Sequence, residues 1–350
     1  MRRFEFLRVA VFVVLVLCAS RAWVKEHQPT GKIAVSSGDS VVLADPVTGL
    51  AEKVDTGPVG WLFPAPGGVL FAPDLVHGRT TVINLRNGRV QEVLDGVTMP
   101  HFGDRTDRYL VVGHEVMVMS YPERALIKKY ELSIEHPWQV AILAYNTVMI
   151  VLERQPDGSG GSVLTALNLG GGDVVYRHPM DGDVRHMAFS PELAVMALAN
   201  ATTKRVILAD PGTLTPAAGF EISGTPADVA FADGGSILVI AYATSDDRGG
   251  LLMLKMKSGK KGLEVKKKWT VELSGRPVRM MSSPDQQYLA VALASAVVEV
   301  VSVATRGPVA TVELPSAPRD LAWCDPSAPG PLLPEWSDQE APQLDFGGIR

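Results

Sequence analysis

Apolar and polar residues alternate along most of this chain with a period of two. The stretch TPADVAFADGGSILVIAY, Thr225 to Tyr242, is representative: a proline opens it, an alternating run follows, then a Gly-Gly turn and a second apolar run. Alternation rich in β-branched residues and punctuated by Asn-Gly or Gly-Gly predicts strands joined by tight turns. No segment keeps a 3.6-residue period, so no helix is predicted. The same phrase then recurs. Pro58, Pro100, Pro137, Pro226, Pro277 and Pro318 each open a copy, and Asp183 takes the proline's place between Pro137 and Pro226. The copies repeat about every 43 residues, the size of a propeller blade.

Each full copy holds four strands, A to D: the opening phrase, an apolar run such as LAVMALAN, and a hairpin such as RVILADPGTLTPAAGFEI. Before Pro58 the chain supplies strands B, C and D but no A. After Pro318 it supplies RDLAWCDP, an A strand with nothing to follow. The C-terminal A strand is therefore expected to pair with the N-terminal B strand, which closes the ring and removes its open edges. The predicted fold is all-β, a seven-bladed β-propeller of four-stranded antiparallel blades over residues 31–325. With the closing blade as blade 1, blades 2 to 7 open at Pro58, Pro100, Pro137, Asp183, Pro226 and Pro277. The 33 glycines and 25 prolines are dispersed, as many short strands with many turns require.

The two ends fall outside the pattern. Residues 1–22 carry Arg2, Arg3 and Arg8, then the apolar run Val9 to Ala19, then small residues. That is the layout of a signal peptide, or of an uncleaved signal anchor, and the run is short for a membrane span. The protein is expected to be exported, periplasmic or extracellular, touching a membrane only through an uncleaved N-terminal segment. Only Cys18 and Cys324 are present, so no internal disulfide is expected after cleavage. Residues 326–350 are proline-rich and acidic and read as a flexible tail, or as a peptide anchored on a partner by Leu332, Leu333 and Trp336. A net charge of −5 gives no basic footprint for nucleic acid.

The repeat resembles the YVTN-type seven-bladed β-propellers of the quinoprotein amine dehydrogenase β-chain-like group. The pieces that carry the resemblance are PADVAFADGGSILVIAY, MAFSPELAVMALANATTKRVILADPGT and PVRMMSSPDQQYLAVALA. Proteins of this architecture include exported binding proteins, amine dehydrogenase subunits and lactonases, so the resemblance fixes the fold and not the chemistry.

In a propeller, strand A lines the central channel and enters from the face that carries the D–A and B–C loops. Two residues after each opening position lie Gly60, Phe102, Gln139, Arg185, Asp228, Arg279 and Asp320. Two further on lie Leu62, Asp104, Ala141, Met187, Ala230, Met281 and Ala322, mostly small or apolar, as a narrowing channel needs. The polar members of the first set, Gln139, Arg185, Asp228, Arg279 and Asp320, are expected to ring the mouth. Two guanidiniums there could clamp a small anionic ligand; equally, Arg–Asp pairs between blades could neutralise each other.

His77, His101, His114, His136, His178 and His186 fall in loops or at A-strand starts by this register, toward one face. They are the only metal-ligand candidates, but no pair stands at ligand spacing, so no metal and no cofactor is assigned. No nucleophile elbow, phosphate loop or catalytic triad is present. A lysine-rich run from Lys255 to Lys268 lies in the long hairpin of blade 6 and reads as a solvated hairpin or as a docking knob for an acidic surface. The sequence thus points to an exported, non-catalytic module that binds another protein. The resemblance implies an alternative, a non-catalytic propeller subunit of a periplasmic amine dehydrogenase-like redox enzyme. A lactone hydrolase is disfavoured by the signal segment and by the lack of a carboxylate cluster at the mouth.

Overall fold

The computed structural model describes residues 28–96, 99–102, 107–112, 115–131, 134, 137–143, 148–154, 161–259 and 262–326. The signal segment over 1–22, the tail beyond Pro326, Asp104, His114, His136, Lys260 and Lys261 lie outside these residues. Within them, seven four-stranded antiparallel sheets each run A, B, C, D from the channel outward. Blade 5 is representative, with A at Val184–Ser190, B at Val195–Asn200, C at Arg205–Ala209 and D at Pro216–Glu221.

The ring closes as the repeat predicts. Strand A of blade 1, Pro318–Cys324, pairs antiparallel with strand B, Lys32–Ser37, from Lys32 opposite Cys324 to Ser36 opposite Asp320. Side chains reinforce this seam. The Asp320 amide donates to Ser36 Oγ at 2.8 Å, Ser37 Oγ donates to the Ser316 carbonyl at 2.8 Å, and Trp323 Nε1 donates to the Thr30 carbonyl at 2.8 Å.

The core is laid between neighbouring blades. One face of blade 6, through Ala230, Val239 and Met253, packs on Met280, Leu289 and Val291 of blade 7. A B strand is covered on both faces, so Tyr288–Leu293 is buried at every position and reads as a continuous apolar run. The D strands form the outer rim and are mostly exposed, as in Val174–Met180 of blade 4. The lysine-rich hairpin of blade 6 is the longest, Gly249–Gly259 and Gly262–Leu273. Two of its lysines are paired locally, Lys255 with Asp233 at 3.3 Å and Lys266 with Glu264.

Candidate functional site

Strand A carries the same irregularity in five blades. The ladder to strand B slips by one residue just after the strand begins, leaving Trp138, Arg185, Ala227, Val278 and Arg319 as the extra residue of a β-bulge. A bulge of this kind re-aims the residues that follow it. Counted from the bulge, the equivalent mouth residues are Gln139, His186, Asp228, Arg279 and Asp320. The strand of blade 5 starts at Val184, not Asp183, so its mouth residue is His186 and not Arg185 as the sequence register has it. In blade 2 the place belongs to Trp61 rather than Gly60. The marker in blades 2, 5 and 7 is a hydrogen bond in which the residue after the mouth position donates its amide to the preceding blade.

That bond builds a polar girdle. Gln139 Oε1 accepts from the Met187 amide at 2.7 Å and its Nε2 donates to the Met187 carbonyl at 2.9 Å. Asp228 Oδ2 accepts from the Met280 amide at 2.8 Å, and Asp320 Oδ2 from the Leu62 amide at 2.8 Å. Leu62 and Met187 therefore supply amides to the girdle, and their side chains enter the inter-blade core instead of narrowing the channel. Ala141, Ala230, Met281 and Ala322 also pack between blades. The mouth side chains reach sideways to the next blade, because a strand's faces point at its neighbours and only its edge borders the channel.

Arg279 is the hub of the girdle. Its Nε donates to Asp320 Oδ1 at 2.9 Å and its Nη1 to Asp228 Oδ2 at 3.2 Å, and Nη1 also donates to His186 Nδ1. Burial alone would lower the guanidinium's pKa, but Asp228 and Asp320 outweigh it and hold it raised. Burial raises the Asp228 carboxyl against the pull of Arg279. Burial, then Arg279, Arg185 and Arg154, hold His186 well below its ordinary value, so its ring is neutral and accepts the Arg279 hydrogen bond. Asp228, whose side chain is only 2% exposed, is thus fully engaged inside the wall. Four of the five residues expected at the mouth are brought together here, but as a seam between blades and not as an open clamp.

Arg185 goes elsewhere. Its side chain is 43% exposed and lines a cleft of about 600 Å³ on the same face. Trp138, Arg154, His186, Lys204 and Arg276 also line it, contributed by strand starts and by the B–C and D–A loops of blades 4 to 7. Arg154 Nε and Arg185 Nε share Asp183 at 2.7 and 3.1 Å, and Arg276 pairs with Asp247 at 3.3 Å. Four cations therefore face two carboxylates, which leaves excess positive charge in a protein of net charge −5. Arg154 lies over the Trp138 ring at 4.8 Å, and Trp138 Nε1 donates to the Arg185 carbonyl at 2.7 Å. Trp138, Arg154, Lys204 and Arg276 fall outside the two A-strand positions that the repeat singles out, so the sequence does not mark them. The three basic residues stand at the end of a B strand, in a B–C loop and in a D–A loop, all of which reach the mouth face.

A second cavity of about 190 Å³ adjoins Trp138 and is lined by Trp61, Phe63, Met99, His101 and Val140. The Trp61 and Trp138 rings meet edge to face at 6.0 Å, and Phe63 meets His101 edge to face at 5.1 Å. Burial pushes His101 down to about 4. This has a consequence for stability. Unfolded, His101 and His186 take up protons near pH 6.5; folded, they do so only at lower pH. The unfolded state then binds more protons, and stability falls with acidification. The contribution is whole above about pH 6.5 and drains away toward pH 4 for His101. Asp228 acts oppositely: its contribution is whole below 3.8 and is lost as pH rises through its raised folded value. Urea unfolding is expected to show lower stability at pH 5 than at pH 7, with a smaller drop in His101→Phe. Identical drops in the two proteins would contradict the burial of a neutral ring at His101.

The remaining candidates disperse. Phe102 packs against Tyr109 and Tyr121 at 5.4 and 5.1 Å, between blades 2 and 3, and not at the mouth. His77 lies in a B–C loop as expected, where its Nδ1 is 2.6 Å from the buried Asp74. His178 sits within the outer strand of blade 4 rather than in a D–A segment. Among the described residues no three His, Cys, Asp or Glu side chains come together as a metal site. The Cys324 thiol is buried and pushed up to about 12, which makes it inert.

No protein family and no curated protein matches the chain in sequence. Solved structures do match in shape. A chain of Kuenenia stuttgartiensis hydrazine synthase superposes with a TM-score of 0.62 at 13% identity, covering 77% of this chain and 90% of that one. A protein from Bacteroides fragilis, provisionally described as a 6-phosphogluconolactonase, gives a TM-score of 0.62 at 13% identity, covering 85% of this chain and 99% of that one. At such identity the likeness is one of fold, and with the strand order it establishes a seven-bladed β-propeller closed by its C-terminal strand.

Proposed function

We propose that this chain is an exported binding module without catalysis of its own, and that its mouth cleft takes an acidic group of a partner protein. The observation that carries this reading is the excess of cations over carboxylates around a cleft of about 600 Å³. Guanidiniums suit carboxylate recognition because their donors match its two oxygens. The buried girdle beneath, one guanidinium shared by two carboxylates, spends its charges on one another and serves as the floor. Titration with a labelled hexaglutamate peptide tests the reading. Binding is expected to weaken as salt rises, and Arg185→Gln combined with Lys204→Gln is expected to weaken it at least tenfold. An affinity unchanged in the double variant would contradict it.

The fold-level likeness to hydrazine synthase, together with the YVTN-type resemblance, favours one further reading, a non-catalytic propeller subunit of a redox complex. Purification of the native complex tests it. A partner carrying a visible-absorbing cofactor in fixed ratio is the expected result, and a colourless preparation would contradict it.

A further inference from the structure

The two cavities at the mouth differ in what their walls can still offer. In the 190 Å³ cavity the polar lining is already committed: Gln139 to Met187, Asp320 to Leu62 and Arg279, Arg279 to both carboxylates and His186. Its His101 ring is neutral, and Trp61, Phe63, Met99, Trp138 and Val140 are among the apolar side chains that supply the rest. The charged and amide groups of the wall are already paired, and the aromatic and aliphatic side chains that make up most of its lining favour an apolar occupant. A cavity of about 150 Å³ is large enough for a benzene ring. The 600 Å³ cleft has the reverse character, with excess cations at its edge. Trp138 is a wall of both cavities, with Arg154 over its face and Trp61 against it.

We infer that the two cavities are halves of one site for an aromatic carboxylate: a ring beside Trp61 and Trp138, and a carboxylate one short linker away among Arg154, Arg185 and Lys204. This rests on the anion-binding reading of the cleft and adds the chemical class of the group bound. Two sources share that chemistry, a free arylalkanoic acid and the C-terminal residue of a chain ending in phenylalanine.

Calorimetric titration of the full chain separates the possibilities. 3-Phenylpropionate is expected to bind at least tenfold more tightly than propionate and than 3-phenylpropan-1-ol. Trp61→Leu, at a residue that lines the small cavity and not the cleft, should abolish the advantage over propionate while leaving propionate binding in place. Met99→Phe, which fills the small cavity from another blade, should do the same if the tryptophan variant folds poorly. A tetrapeptide Ala-Ala-Ala-Phe with a free carboxylate, compared with its amide, identifies the source. Tight binding of the free acid alone assigns a chain end, and binding of phenylpropionate without the peptide assigns a small acid. Equal affinity for phenylpropionate and propionate would overturn the two-part site and leave the anion cleft standing. Failure of every anion to bind would overturn both.

Discussion

Deletion of residues 319–350 is expected to abolish cooperative folding of the whole ring, whereas deletion of 327–350 leaves the melting transition within a few degrees of the full chain. The longer deletion removes nearly all of strand A of blade 1. With it go the pairing to Lys32–Ser37, the buried side chains of Leu321, Ala322, Trp323 and Cys324, and the Asp320 corner of the girdle. Burial of Leu321 and Trp323 alone accounts for about 1.5–3 kcal/mol each. A domain is stable by only about 5–15 kcal/mol in total, so the ladder and the core lost with this strand are comparable with the whole margin. The deletion also bares the edge of strand B, an invitation to aggregation. The shorter deletion keeps Pro326, whose carbonyl accepts from Arg86 Nε at 3.1 Å. Calorimetric melts of the two truncations make the comparison, and similar melts would contradict closure by the C-terminal strand.

Replacement of Arg279 by methionine is expected to cost about 3–5 kcal/mol, because it strands two buried carboxylates without their cation. The methionine keeps much of the side-chain volume, so the loss reports charge and hydrogen bonding rather than a cavity. Asp228→Asn introduced into the same variant should recover part of the loss, since it removes one of the stranded charges. Without Arg279 the Asp228 carboxyl titrates higher still, so the gap to wild type should narrow as pH falls. Arg185→Met offers the contrast. That side chain is half in water and its pairing with Asp183 is screened, so stability should change by less than about 1 kcal/mol. Urea unfolding of the single and double variants at two pH values reads all of this. A small, pH-independent effect at Arg279 would show that the girdle does not hold the blades.

Fold and site differed in how far the sequence disclosed them. The blade count, strand order and closure were legible because the repeat is written in residues that must be buried. Two incomplete copies at the ends leave only one way to finish the ring. The girdle was legible in part. Gln139, Asp228, Arg279 and Asp320 are legible by counting from a proline, which works where that proline is the last residue paired before the bulge. In blade 5 the opening residue is Asp183, which lies one place before the strand, so the count stopped at Arg185 instead of His186. A bulge is a matter of hydrogen-bond register between strands, and no local pattern within one strand reports it. The cleft was least legible. Arg154, Lys204 and Arg276 lie at the end of a B strand, in a B–C loop and in a D–A loop of three different blades. Only the curvature of the ring brings them to one rim.

The central claim is that the exposed guanidiniums of the mouth bind an acidic group while the buried one holds the fold. Its most direct test is one titration series of labelled hexaglutamate against wild type and the Arg185→Gln, Lys204→Gln double variant, at one ionic strength, with a thermal melt of each. The expected result is an affinity at least tenfold weaker in the double variant with an unchanged melt. Equal affinities with equal melts would contradict the claim.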